Sequence, residues 1–288
     1  MSGAIGVQAK CGLGSASPVT EAYEFLRDGV MLEEVLADTS GIRGTRSRPK
    51  ERERIASRMV KGPLVINPTP LDLTNLLPRI LGAAGVANVY NLAETLPSFF
   101  MTSDRVTKVH TFNGMVASKA TFKATVGAPL ELTLDLVGID ESIGAAGTFP
   151  AISPDLTNPP YILADLAFNL GGNAYTVEQI EIAIDNVLEI RFGNSITPTA
   201  INPTDRHITL STRVPWSDSF ALYGAGDPAG LSATATFTNG AKNLIFTMPA
   251  LVYPKKSPIV DARGEIWQSV DGVAMKSGGT NELAVTQN

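Results

Sequence analysis

Alternation of apolar with mostly polar residues in two separate stretches constrains this chain more than any other feature. Leu130, Leu132, Leu134 and Leu136 interleave with Glu131, Thr133, Asp135 and Val137, and Ile180, Ile182 and Ile184 with Glu181, Ala183 and Asp185. A period of two puts every second side chain on one face of an extended strand, so each stretch reads as a strand with a buried and a wet face. Phe122, Ala124 and Val126 alternate likewise with Thr121, Lys123 and Thr125, and residues 161–170, 207–214, 231–237 and 244–253 have strand composition. Turn clusters separate these runs: Gly127-Ala128-Pro129, Gly171-Gly172-Asn173, Gly226-Asp227-Pro228 and Asn239-Gly240. Many short strands between turns predict a mainly β fold, an antiparallel sandwich or barrel with long loops. All-β units of this kind run past roughly 200 residues as single domains, so the 288 residues are expected to form one.

Register follows from the same alternation. Around Gly127, a two-residue loop mixes the two faces, whereas a three-residue loop pairs Val126 with Leu130, Ala124 with Leu132 and Phe122 with Leu134. That register sets Thr125 opposite Glu131 and Thr121 opposite Asp135, with Lys123 diagonal to both carboxylates. One segment, about 70–82, reads as a helix: Thr69 is its N-cap, Pro70 opens it, and Asp72 sits at N3. Its apolar face is Leu73, Leu76, Leu77, Ile80 and Leu81, and Gly82 suits its C-terminal cap. Pro78 inside it predicts a kink or an early end. Residues 21–37 fit a helix through Leu32-Glu33-Glu34-Val35-Leu36 but a strand through Tyr23 and Phe25, and both readings stay open.

Charge is unevenly placed. The net charge is −5, yet residues 40–61 carry Arg43, Arg46, Arg48, Lys50, Arg52, Arg54, Arg58 and Lys61 against Glu51 and Glu53, a local +6. Residues 124–190 hold no Lys or Arg and ten carboxylates. The cationic stretch reads as a long loop with arginines suited to carboxylates on a partner. It contains no aromatic residue for base stacking and fits no nucleic-acid-binding module.

Catalytic and metal chemistry find little to work with. A single cysteine, Cys11, closes no disulfide within the chain, and His110 and His207 stand far apart with no third ligand near in sequence. Gly12-Leu13-Gly14 and Gly224-Ala225-Gly226 lack the rest of a phosphate-binding fingerprint and read as turn glycines. Asp140 with Glu141, or Glu131 with Asp135, are candidates for a two-carboxylate glycosidase pair, but carboxylates alternating along a strand are ordinarily a solvated face. No catalytic, metal or cofactor-binding residue is therefore assigned, and the expected protein is not an enzyme. No window approaches 18 apolar residues, and the opening MSGAIGVQAKCGLGSASPV lacks a charged region followed by an apolar one. Neither a membrane span nor an export signal is expected.

The order of motifs along the chain resembles the tail tube (major tail) proteins of tailed bacteriophages. It runs from a Gly-rich arm (residues 5–18, within an arm 1–20) through Gly41-Ile42-Arg43-Gly44 and its charged loop to Val60-Lys61-Gly62-Pro63-Leu64-Val65. The helix Pro70-Leu71-Asp72-Leu73-Thr74-Asn75-Leu76-Leu77 follows, closing at Leu81-Gly82, and then Phe112-Asn113-Gly114-Met115-Val116. Leu132-Thr133-Leu134-Asp135-Leu136-Val137-Gly138 and Val177-Glu178-Gln179-Ile180-Glu181-Ile182-Ala183-Ile184-Asp185-Asn186 complete the series. Residues 144–160 and 196–204 stand out as insertions.

The resemblance implies a β-sandwich subunit with one flanking helix, six of which close a ring whose lumen is lined by strands, the rings stacking into a conduit for DNA. A tube that lets DNA slide should repel phosphate, and strand faces bearing Glu131 and Asp135, and Glu181 and Asp185, are expected to supply that lumen wall. The cationic loop, residues 40–62, bearing Arg43, Arg46, Arg48, Lys50, Arg52, Arg54 and Arg58, is suited to an acidic surface on a neighbouring subunit or ring. Expected partners are other copies of the chain, a tape-measure protein, tail terminator and distal tail proteins, and DNA in transit without sequence-specific binding. No cofactor or membrane is expected, and the place of work is the virion tail, assembled in the host cytoplasm. A competing reading from composition is a carbohydrate-binding β-sandwich on a virion or cell surface. It rests on Trp216 and Trp267 as stacking platforms in a chain with 7% aromatic residues.

Overall fold

The computed structural model of the chain describes residues 5–37, 41–42, 44–47, 50–216, 230–258, 260 and 263–288. The strands of the first half are β1 (Lys10–Gly14), β2 (Glu21–Tyr23), β3 (Arg27–Asp28), β4 (Met31–Ala37), β5 (Arg54–Ile66), β6 (Val89–Asn91), β7 (Phe99–Asp104), β8 (Lys108–Thr125), β9 (Glu131–Gly138) and β10 (Asp140–Ala145). Those of the second are β11 (Leu166–Leu170), β12 (Asn173–Tyr175), β13 (Gln179–Arg191), β14 (Ala200–Pro215), β15 (Leu231–Asn239), β16 (Lys242–Val252), β17 (Trp267–Met275) and β18 (Ala284–Gln287). One α-helix, α1 (Pro70–Leu81), interrupts them. The pairings are antiparallel, and the fold is mainly β as the alternation predicts.

Strand β8 organises the molecule, because its two halves pair differently. Its first half lies between β7 and β10, with β1 and β2 beyond β7. Its second half lies between β9 and β13, and from there the sheet continues on one side to β5 and β4, on the other through β14, β17, β16, β15, β11 and β12. Gly114, at φ +59, marks the change, and a side chain there would meet Ile139. The long sheet curls over, so that the β8–β9 turn meets the segment just before β11. Pro129 bridges Ile162, the Leu130 N–H donates to the Tyr161 carbonyl at 2.7 Å, and Phe122 of β8 packs edge-on against Phe246 of β16 at 5.0 Å. Inside lie the apolar positions named by the alternation: Phe122, Ala124, Leu132, Leu134, Leu136, Ile180, Ile182 and Ile184 are all buried.

That closure corrects the hairpin register. Phe122 pairs with Leu132 and Lys123 with Glu131, two residues from the expected alignment. A two-residue slip keeps every side chain on its face, so alternation alone does not exclude it. Leu130 is withdrawn from the hairpin by its bond to Tyr161, and the loop is longer than three residues.

Helix α1 forms where its caps and stripe place it. The Thr69 hydroxyl accepts from the Asp72 N–H at 3.2 Å, the Asp72 carboxylate accepts from the Thr69 N–H at 2.9 Å, and Gly82 closes the helix at φ +90. Pro78 does not end it early. Leu73, Leu76, Leu77, Ile80 and Leu81 are fully buried, and that packing outweighs the roughly 3 kcal/mol cost of an internal proline. Side chains of the sheet hold both ends: Gln287 donates to the Pro70 carbonyl at 3.1 Å and Asn186 to the Ile80 carbonyl at 3.0 Å. Removing the cap in a Thr69→Ala variant is expected to cost about 1 kcal/mol, read from the midpoint of urea unfolding.

Three further stretches find their place in the fold. Residues 21–37, left open between helix and strand, form β2, β3 and β4. The charged loop is shorter than 40–62, because from Arg54 onward it is strand β5, paired to β4 and then to β9. Residues 196–204, expected to be an insertion, run into a strand of the long sheet. Strand β14 starts at Ala200, and Pro203 is tolerated because the β13–β14 ladder shifts register beside it, between Val187 and Leu188.

Candidate functional site

Two charged surfaces stand out, and the fold positions them differently. The first is the outer face of β9, β8 and β13. Because β8 lies between the other two, Lys123 faces both Glu131 and Glu181, and Lys119 faces both Asp135 and Asp185. The four carboxylates expected from sequence therefore share one face, and none is buried. Lys123 is directly opposite Glu131, not diagonal to it and Asp135. Lys119 was missed, although its spacing from Thr121 and Lys123 is the period-two signal. Four carboxylates around two lysines leave this face with a net charge of −2. The row beyond β13 is engaged within the chain: Asp271 accepts from Ser211 and Lys256 at 2.6 Å each, and Arg213 donates to Glu178 at 2.9 Å. The hydrogen bond from Lys256, then that from Ser211, holds the Asp271 carboxyl below its usual range.

The second surface is the β4–β5 hairpin. Its root is satisfied by its own chain: Lys61 pairs with Glu33 at 2.7 Å, and Arg58 with Asp140 at 2.7 Å and Glu34 at 3.9 Å. The Arg58 N–H also donates to the Ile196 carbonyl at 2.7 Å. Arg58 thus anchors the hairpin to β10 instead of reaching outward. Arg54 is exposed at the end of β5, and Lys50 and Arg52 are exposed on a 3₁₀ turn just before it. Arg46 and Ile42 are exposed as well, while Arg43 and Arg48 lie outside the described residues. Along β4, Met31, Val35 and Leu36 are each more than half exposed, and among the described residues β4 pairs only with β5. A seven-residue edge strand with apolar side chains in solvent is what monomers ordinarily avoid.

The alternative sites are already occupied by their own neighbours. Asp140 is held by Arg58, and Glu141 meets His110 Nδ1 at 2.5 Å, so the two carboxylates serve separate pairs. The Arg213 guanidinium lies 5.0 Å from the centre of the Trp267 ring and covers one face of that stacking platform.

Among the described residues, no helix is long and apolar enough to cross a membrane. Comparison with curated proteins returns no match. Against protein-family models, residues 32–274 match the family described as phage tail tube protein. That span runs from the β4–β5 hairpin through the charged β9–β8–β13 face to β17, and the chain belongs to the phage tail tube protein family, a structural component of the virion tail.

Proposed function

We propose that the chain assembles into stacked, sixfold rings with the β9–β8–β13 face toward a channel through which DNA passes during ejection. One observation carries this reading: Glu131, Asp135, Glu181 and Asp185 share a solvated face, while Leu132, Leu134 and Leu136 turn inward to the core. A channel that lets DNA slide must not neutralise phosphates, since each neutralising contact releases counterions and holds the polymer. A repeated wall of net negative charge meets that requirement. The exposed arginines of the hairpin tip suit a contact with carboxylates of a neighbouring copy, where planar guanidinium pairing fixes geometry.

On this reading the subunit does no catalysis. Its other partners are a tape-measure protein inside the tube and terminator and distal tail proteins at its ends, with assembly in the host cytoplasm. Sedimentation of the purified chain over a wide concentration range, with electron microscopy of the same samples, tests it. Rings or tubes of constant diameter are expected. A strict monomer at every concentration, with and without a nucleating tail-tip complex, overturns it.

A further inference from the structure

The β4–β5 hairpin tip and a groove beside the start of α1 lie at opposite ends of β5. At the far end of β5, the Leu26 N–H donates to the Val65 carbonyl at 2.8 Å and Arg27 pairs with Val65. This pins residues 24–26 beside the start of α1. A groove of about 480 Å³ opens there between Glu24, Phe25, Leu26, Asp155 and Leu156. Leu26 and Leu156 are 59% and 76% exposed, an uncovered apolar floor. Glu24 is exposed at its rim, and Asp155 is held down to about 2 by hydrogen bonds from Thr157 and Asn158, so it stays ionised. Burial raises the Asp72 carboxyl, against the pull of its Thr69 hydrogen bonds, and the charges of Asp155 and Glu24 add to the rise. The groove therefore lies in a negative field. The adjoining cavity of about 940 Å³ is lined by Lys10, Arg27 and Arg105 together with Glu24 and Asp28, so its charges nearly balance, whereas the groove itself is lined by Glu24 and Asp155 and by no Lys or Arg.

The hairpin tip has the matching character, with exposed Ile42 among exposed Arg46, Lys50 and Arg52. We infer that the groove between Glu24 and Leu156 receives the β4–β5 hairpin tip of a second copy, with Ile42 over Leu26 and Leu156 and the arginines toward Glu24 and Asp155. This rests on the assembly reading above and assigns its receptor. The geometry favours one direction. From Arg54 to Val65 is eleven residues of β5, roughly 35 Å at the rise of an extended strand. A copy displaced by that length along β5 brings its tip to the next groove. Different patches meet in such a contact, which makes it head-to-tail and leaves it open to indefinite repetition, as a stack requires.

Charge exchange in the full-length chain tests the assignment. Three variants are compared: Glu24→Lys with Leu156→Lys in the groove, Arg46→Glu with Arg52→Glu at the tip, and all four together. All four positions are exposed, and circular dichroism of each variant checks the fold. Each pair alone is expected to raise the concentration needed for tube formation by about tenfold or more, and the fourfold variant to recover most of that loss. A groove pair that assembles like the parent while the tip pair is impaired overturns the receptor and leaves the hairpin contact standing. A fourfold variant no better than either pair overturns it too. A tip pair without effect removes the hairpin contact and the receptor with it.

Discussion

An Arg79→Met substitution is expected to destabilise the subunit by about 1–3 kcal/mol, the cost of leaving the partly buried Glu21 carboxylate without its charged partner. The Arg79 side chain is 8% exposed and grips Glu21 with two bonds, at 2.6 and 2.9 Å. It also donates to the Asn75 carbonyl at 3.0 Å and lies 5.5 Å from the centre of the Phe99 ring. Tyr23 completes the set by donating its hydroxyl to Glu21 at 2.7 Å, and burial pushes that hydroxyl up, so it remains a donor. The cluster ties α1 to β2 across the two parts of the fold. Deleting one member strands the others, whereas Arg79→Met with Glu21→Met removes both charges and is expected to lose less than the sum of the single losses. Urea unfolding of the unassembled chain measures this, as a shifted midpoint at unchanged slope. Additive losses, or a single loss under 1 kcal/mol, would show that the pair is not coupled.

What the sequence made legible depended on how local the cause was. The strands β9 and β13 and the cap-to-cap extent of α1 could be read directly, because alternation and capping act over a few residues. Strand β5 was hidden. Its arginines, exposed Arg54 and partly buried Arg58, made a half-wet strand look like a charged loop, and the carboxylates that hold it, Glu33, Glu34 and Asp140, come from other strands. The β8–β9 register was missed by two residues because the deciding bond, from Leu130 to Tyr161, comes from outside the hairpin. Both candidate surfaces show the same limit. The acidic residues were identified one strand at a time, but only the pairing of β8 with β13 sets Lys119 and Lys123 between them. The arginine-rich tip was visible as composition. Its proposed receptor was not, since residues 24–26 and 155–156 meet only in the folded chain.

If the β9–β8–β13 face lines the channel as proposed, reversing its charge is expected to leave assembly intact and to slow or stop DNA passage. Glu131→Lys with Asp135→Lys takes the six residues of the face from −2 to +2. Solvated strand positions tolerate polar exchange to within about 0.5 kcal/mol, and Lys123 opposite a new cation adds an unfavourable cross-strand pair of roughly 0.2–1 kcal/mol. The fold should survive both. On that proposal, passing phosphates would come within about a Debye length of the face, roughly 8–10 Å at physiological salt, so its sign would be felt. A cationic wall neutralises phosphates, and each one engaged steepens the dependence of retention on log salt by about 0.9 for duplex DNA. Particles carrying the variant are expected to look normal, eject slowly or incompletely at low salt, and recover as salt is raised. The opposite exchange, Lys119→Glu with Lys123→Glu, takes the face to −6 and separates sign from mere disturbance. It should assemble and eject no more slowly than the parent. If both variants slow ejection equally, the surface acts through packing and not through charge. If neither changes the rate in intact particles, β9, β8 and β13 do not face the channel, and the wall must be sought on another sheet face of the subunit.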